Sequence, residues 1–208
     1  GYYACISYID TLIGRILDRL DELELTDNTI IFFWGDHGFH LGEQGLWTKA
    51  NNYELAARVP LILSVPGQKS KGNTSNALVE LVDVYPTLSD LCRLPLSPKL
   101  EGLSIKPLLE DPNRPWKSAA FNQYPRDYNA VKHTRHGDVM GYSIRTERFR
   151  YVQWREWISG KALVHELYDQ QTDPNEMTNL AGHPEYASTL IQHQRQLDAG
   201  WESAIPTE

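Results

Sequence analysis

The sequence has little cysteine, no long apolar run and no excess of positive charge. Its two cysteines in 208 residues, Cys5 and Cys92, form neither a metal-ligand spacing nor a disulfide framework, and read as small buried side chains. No apolar stretch approaches the roughly 20 residues of a membrane span. Asp10 interrupts the first residues and no basic region precedes them, so they do not read as a signal peptide. The 20 Lys and Arg against 27 Asp and Glu leave a net charge of −7, which argues against the basic footprint that nucleic-acid binding requires. Internal repeats and low-complexity tracts are also missing. What remains, 41% hydrophobic and 23% charged residues, suits a globular chain able to bury a sizeable core, in one domain or in one large piece with a small second domain.

The densest local signal begins at Thr29-Ile30-Ile31-Phe32-Phe33 and runs into Trp34-Gly35-Asp36-His37-Gly38. The β-branched and aromatic run predicts a buried strand, and the two glycines predict a tight turn at its carboxyl end, where ligands bind in open α/β sheets. Asp36 offers a hard oxygen ligand. His37 offers a nitrogen able to bind metal or hydrogen-bond an anion, so the pair suits a metal-assisted site for a charged ester.

Upstream, Ile6, Ile9, Ile13, Ile16, Leu17, Leu20 and Leu23 recur at three- and four-residue steps and predict an amphipathic helix packed on a core. Arg58 to Val65 predicts a second strand with Pro60 near its start. Asp83 is placed to cap a helix through Leu88 and Leu91, and Pro95 to Pro115 reads as an irregular connection. Beyond it, runs around Ala119–Tyr124, Tyr142–Thr146, Phe149–Trp154 and Leu163–Tyr168 predict strands, followed by a terminal helix over Pro184–Trp201. Strands followed by a helix predict an antiparallel sheet with a helix on one face.

The ordered set of Gly35-Asp36-His37-Gly38, then Leu41-Gly42-Glu43-Gln44-Gly45-Leu46-Trp47-Thr48-Lys49, then Arg58-Val59-Pro60-Leu61-Ile62-Leu63-Ser64-Val65-Pro66-Gly67 closely resembles the sulfatase family of the alkaline phosphatase superfamily. The resemblance continues through Leu81–Leu88, Gly102–Leu109 and Glu166–Asp169 to Asp173-Pro174, Glu176 and Asn179-Leu180-Ala181. Gln123–Arg126 and Met140–Thr146 look most like the iduronate-2-sulfatase branch.

This resemblance implies an α/β fold: residues 1–115 as the C-terminal part of a sulfatase-type α/β sandwich domain, and residues 116–208 as a small antiparallel sheet plus helix. It also implies a calcium ion and a formylglycine made from Cys or Ser in a C/S-x-P-x-R motif. Neither Cys5 nor Cys92 lies in such a motif, no serine does, and the family's N-terminal pair of metal-binding aspartates is absent. The expected partner is therefore an N-terminal sulfatase fragment or chain carrying the nucleophile.

By the same resemblance Asp36 is a calcium ligand, and His37 either completes the metal site or contacts the sulfate ester. Lys49 matches a sulfate-contacting lysine that neutralises an oxygen or favours alcohol departure. His40 can reach the same pocket or be held by backbone groups; Glu43 and Trp47 position the loop, and Arg58 is structural. Lys132, with His133, Arg135 and His136, lies in a segment suited to a uronate carboxylate.

The implied activity is sulfate removal from a sulfated uronic acid of a glycosaminoglycan or related polysaccharide, in a periplasmic, extracellular or lysosomal setting. A phosphatase or phosphonate hydrolase of the same superfamily, and a catalytically silent sulfatase-like binding module, stand as alternatives.

Overall fold

A computed structural model describes residues 1–126 and 138–206. The first element, α1 (Tyr2–Glu22), follows the three- and four-residue apolar spacing. None of its residues is buried, and Ile6, Ile9 and Ile16 lie open to solvent. The expected core-packing role is thus not realised within the described residues, because no described element lies over the apolar stripe. Cys5 on this helix and Cys92 are likewise exposed free thiols, where buried ones were expected.

Strand β1 (Ile31–Trp34) pairs antiparallel with β4 (Leu61–Ser64), Phe32 opposite Leu63 and Trp34 opposite Leu61. Phe33, Trp34 and Ile62 remain exposed, while Ile31 and Phe32 are half-buried, so the strand predicted to be buried is only partly covered among the described residues. Between these strands, β2 (His40–Leu41) and β3 (Trp47–Thr48) form a small hairpin, with His40 opposite Thr48. A single helical turn, α2 (Glu54–Ala57), then leads into β4.

The connection that follows carries α3 (Val84–Leu91) and the short α4 (Lys106–Glu110). Asp83 precedes α3 but does not cap it with its side chain. Its buried carboxylate instead accepts from the Glu80 and Leu103 amides at 2.9 and 2.7 Å and from Lys117 Nζ at 2.7 Å. Lys117 also reaches Glu80 Oε2 at 2.8 Å, and Glu80 Oε1 accepts from the Phe121 amide at 2.8 Å. The same carboxylate thus closes a capping box with Glu80 at the turn Leu81–Asp83 that runs into α3, and also pairs with the enclosed Lys117 ammonium.

The larger sheet is a meander of β5 (Ala120–Arg126), β6 (Val139–Arg145), β7 (Phe149–Glu156) and β8 (Ala162–Asp169), antiparallel throughout. Alternation along each strand sorts its two faces. One face places Ile144, Tyr151 and Leu167 against α5 (Ala187–Ala199) and its flanks, in a core completed by Ala119, Ala204, Leu190 and Leu197. Burying each such large side chain is worth roughly 1.5–3 kcal/mol. The opposite face presents Val139, Val152 and Trp154 together with buried Ser143 and Arg150. That polar-studded face meets the segment leading into α2.

Candidate active site

Two backbone features bring the motif residues together. Beyond β1 the chain turns through Asp36 and His37 to Gly38, whose amide donates to Ala56 O at 2.9 Å. A methyl in place of the Gly38 hydrogen would collide with the Leu55 carbonyl, so the loop carrying His37 can lie against α2 only with glycine there. From the other side, the β2–β3 hairpin delivers Lys49 immediately after Thr48. The Lys49 ammonium hydrogen-bonds His37 Nε2, while His37 Nδ1 lies 2.8 Å from Gly38 O. This pairing fits a neutral imidazole that donates from Nδ1 and accepts at Nε2. Asp36 Oδ2 stands 3.4 Å from His37 Nε2, with the Asp36 side chain 83% exposed.

Asp36, His37 and Lys49 therefore share one exposed corner at the end of β1. His40 does not join them. Its ring is fully enclosed, edge-on to Tyr53 at 6.0 Å between centroids, and its Nε2 donates to Asn51 Oδ1 at 3.3 Å. Lys132, His133, Arg135 and His136 lie outside the described residues. Glu43, assigned to the loop, accepts from the Leu41 amide at 2.7 Å, and its carboxyl is held below the usual range chiefly by that bond. Arg58 stands 3.7 Å from Glu54 on the outside of α2.

A calcium ion takes six to eight oxygen ligands. Asp36 fits one of those positions, since its carboxylate is open and its Oδ2 accepts no described hydrogen bond. Both ring nitrogens of His37 are engaged within the chain. Among the described residues no group of three or more His, Cys, Asp or Glu side chains converges on a metal position. The corner thus presents the open Asp36 carboxylate with no converging ligand group around it among the described residues.

Immediately behind the corner lies a set of residues to which the sequence reading gave no role. Asn52 is buried, its Nδ2 donating to Gly141 O at 3.2 Å and its Oδ1 accepting from Asn122 Nδ2 at 3.0 Å. Glu54 receives Arg145 Nε at 3.1 Å and the Arg150 guanidinium; Arg150 Nε also donates to Glu176 Oε1 at 2.8 Å. The Glu54 amide donates to Glu176 Oε2 at 2.7 Å, and Gln44 Nε2 to Asn175 O at 2.6 Å. Burial opposes ionisation of Glu54, yet Arg150 and Arg145 outweigh it and hold its carboxyl low. Glu176, deeper and facing one guanidinium, is pushed up by burial. Nothing local in the sequence marks these residues, because buried polar groups find partners on distant strands.

Residues 42–202 match the family model described as N-sulphoglucosamine sulphohydrolase, C-terminal. This chain belongs to that sulfatase family. Curated relatives include iduronate 2-sulfatase of Mus musculus, 34% identical with 91% of this sulfatase chain and 45% of the relative covered. N-acetylglucosamine-6-O-sulfatase of Bacteroides thetaiotaomicron is 35% identical, with coverages of 89% and 32%. The sulfatase chain therefore spans less than half the length of these relatives. A solved structure in complex with its substrate D-glucosamine-2-N,6-O-disulfate matches with a TM-score of 0.79 at 33% identity, covering 95% of this chain and 40% of the other. A phosphonate monoester hydrolase of Agrobacterium radiobacter matches with a TM-score of 0.80 at 30% identity, with coverages of 93% and 39%. The sulfatase assignment and the mixed α/β fold expected from the motifs both agree with these likenesses.

Proposed function

We propose that this chain supplies part of the metal and sulfate site of a sulfuric ester hydrolase acting on a sulfated sugar, a uronate of a glycosaminoglycan being the favoured substrate. The observation that carries this reading is the meeting of Lys49, His37 and Asp36 at the end of β1. Cleaving a sulfate monoester requires neutralising sulfate oxygens and assisting departure of the alcohol. The Lys49 ammonium is suited to both, as a compact cation with three donors. His37, accepting from Lys49, keeps that ammonium on the corner. Asp36 would hold a calcium ion, which when bound supplies positive charge against the sulfate oxygens. Metal ligation or a hydrogen bond to the sulfate by His37 would each require a ring nitrogen to leave Lys49 or Gly38. His40 would act on substrate only through the hairpin that it anchors, and Lys132 is assigned to the substrate carboxylate.

The covalent nucleophile, a formylglycine, would come from residues outside these 208, in an N-terminal sulfatase part that completes the site. Residues 1–115 would belong to the catalytic domain and 116–208 to a smaller one. Among the described residues no helix is long and apolar enough to cross a membrane. Glycosaminoglycan substrates place the enzyme outside the cytoplasm, in a periplasmic, extracellular or lysosomal compartment.

A phosphonate or phosphate ester hydrolase is a second reading, favoured by the match to a phosphonate monoester hydrolase. The deciding experiment compares kcat/KM of the complete polypeptide on an aryl sulfate, a sulfated uronate disaccharide and an aryl phosphonate ester. Preference for the sulfates is expected. Preference for the phosphonate would move the assignment to the second reading.

A further inference from the structure

We propose that Asn52 is a positioning residue for Lys49, and that through it the four-stranded sheet sets the geometry of the sulfate corner. The proposal rests on the reading of Lys49 as the sulfate-contacting cation.

The argument begins at Thr48, whose φ is 95°. A β-branched residue rarely adopts positive φ; such a conformation costs on the order of 1–3 kcal/mol and persists only where the surroundings over-determine it. Thr48 directly precedes Lys49, so the direction in which the lysine leaves the backbone depends on this strained turn. On the upstream side the turn is held by its pairing with enclosed His40. On the downstream side the Asn51 amide donates to Lys49 O at 2.9 Å, and Asn51 Oδ1 accepts from His40 Nε2 at 3.3 Å and the Tyr53 amide at 2.9 Å. These contacts close a small ring around Lys49, but all of them are local to the loop.

Beside the more distant Gln44 and Glu54 contacts, Asn52 ties the ring directly to the four-stranded sheet. It is 3% exposed, and both ends of its amide are occupied by the sheet: Nδ2 on Gly141 O of β6, Oδ1 on Asn122 Nδ2 of β5. Gly141 is itself shaped for this approach, since a methyl there would meet Asn52 Nδ2 and the Trp154 ring well inside contact distance. Lys49, by contrast, is exposed on a flexible stem. An exposed lysine dissipates its directing power over many rotamers unless its backbone is fixed, and a displacement of about 1 Å can cost on the order of 100-fold in rate. Removing the Asn52 amide frees the downstream half of the strained turn. Thr48 then relaxes, and the ammonium leaves the position set by His37.

The test is a double-mutant cycle in the complete polypeptide, with kcat and KM measured on an aryl sulfate for the unmodified enzyme, Asn52→Ala, Lys49→Ala and the pair. Thermal melting confirms that each variant folds. Asn52→Ala is expected to lower kcat/KM by about 10- to 100-fold, and to change it less than about threefold once Lys49 is already alanine, because its effect travels through the lysine. A general structural role would instead multiply the two losses, and that result would overturn the proposal while leaving the sulfatase reading intact. A Lys49→Ala enzyme as fast as the unmodified one, or no sulfate turnover by the unmodified enzyme, would overturn the underlying reading and the proposal with it. Should Asn52→Ala fail to fold, Asn122→Ala removes the Oδ1 anchor together with a 3.4 Å contact from Arg150 Nη1, and takes its place in the same cycle.

Discussion

Asp169, at the end of β8, is held by Arg148 through Nε to Oδ1 at 3.0 Å and Nη2 to Oδ2 at 2.6 Å. The Gln171 amide adds a third donor at 3.0 Å. Hydrogen bonding to Arg148 is the largest influence and brings the Asp169 carboxyl down to about 2 from an ordinary 3.8. A depressed carboxyl contributes stability that is fully present above its unfolded value and is lost as pH falls through the folded one, so the window lies between about pH 4 and pH 2. A displacement of just under two units corresponds to about 2 kcal/mol. Although Arg148 is half exposed, Asp169 is fully enclosed, so solvent screens the pair only on the arginine side. Arg148→Ala is therefore expected to cost about 1 kcal/mol in urea unfolding at pH 7, less than the full value because the Gln171 amide remains and solvent reaches the arginine. The gap between variant and unmodified protein should stay constant down to about pH 4 and close toward pH 2. A gap below about 0.5 kcal/mol at pH 7, or one that persists unchanged at pH 2, would refute the reasoning. The consequence reaches the site, because the Asp173 amide donates to Asp169 O at 2.8 Å and so anchors the turn that carries Glu176 to Glu54 and Arg150.

Lys117→Met should lower unfolding stability at pH 7 by roughly 3–5 kcal/mol, because it strands the Glu80 and Asp83 carboxylates in a buried site; urea titration checks this, and a loss under about 1 kcal/mol would show that backbone donors satisfy them alone. Asp36→Ala in the complete polypeptide should weaken calcium binding about tenfold or more, as expected for loss of a direct ligand when outer partners alone are worth that much. Titration calorimetry reads the affinity and melting reads the fold; unchanged affinity would remove Asp36 from the metal site.

The sequence by itself determined the elements whose signals are local. The runs forming β5–β8 were legible as strands of an antiparallel sheet, whereas the register that puts Ile144, Tyr151 and Leu167 on one face came from their pairing. Helix α1 followed from three- and four-residue spacing, and the motif around Asp36, His37 and Lys49 was legible because glycines and charged residues punctuate an apolar chain. Only the tertiary structure decided that Lys49, twelve residues beyond His37, turns its ammonium onto that ring. It also decided that His40 faces inward to Asn51 and Tyr53, and that Asp83 pairs with Lys117 while closing a capping box with Glu80. The network of Asn52, Glu54, Arg150 and Glu176 shows the reason most plainly. Its bonded pairs lie as many as 122 residues apart, and each polar group is tolerable inside only because a partner from a distant segment arrives to satisfy it. Hydrophobic periodicity records which face of an element is buried, whereas the pairing of polar groups across elements is fixed by packing alone.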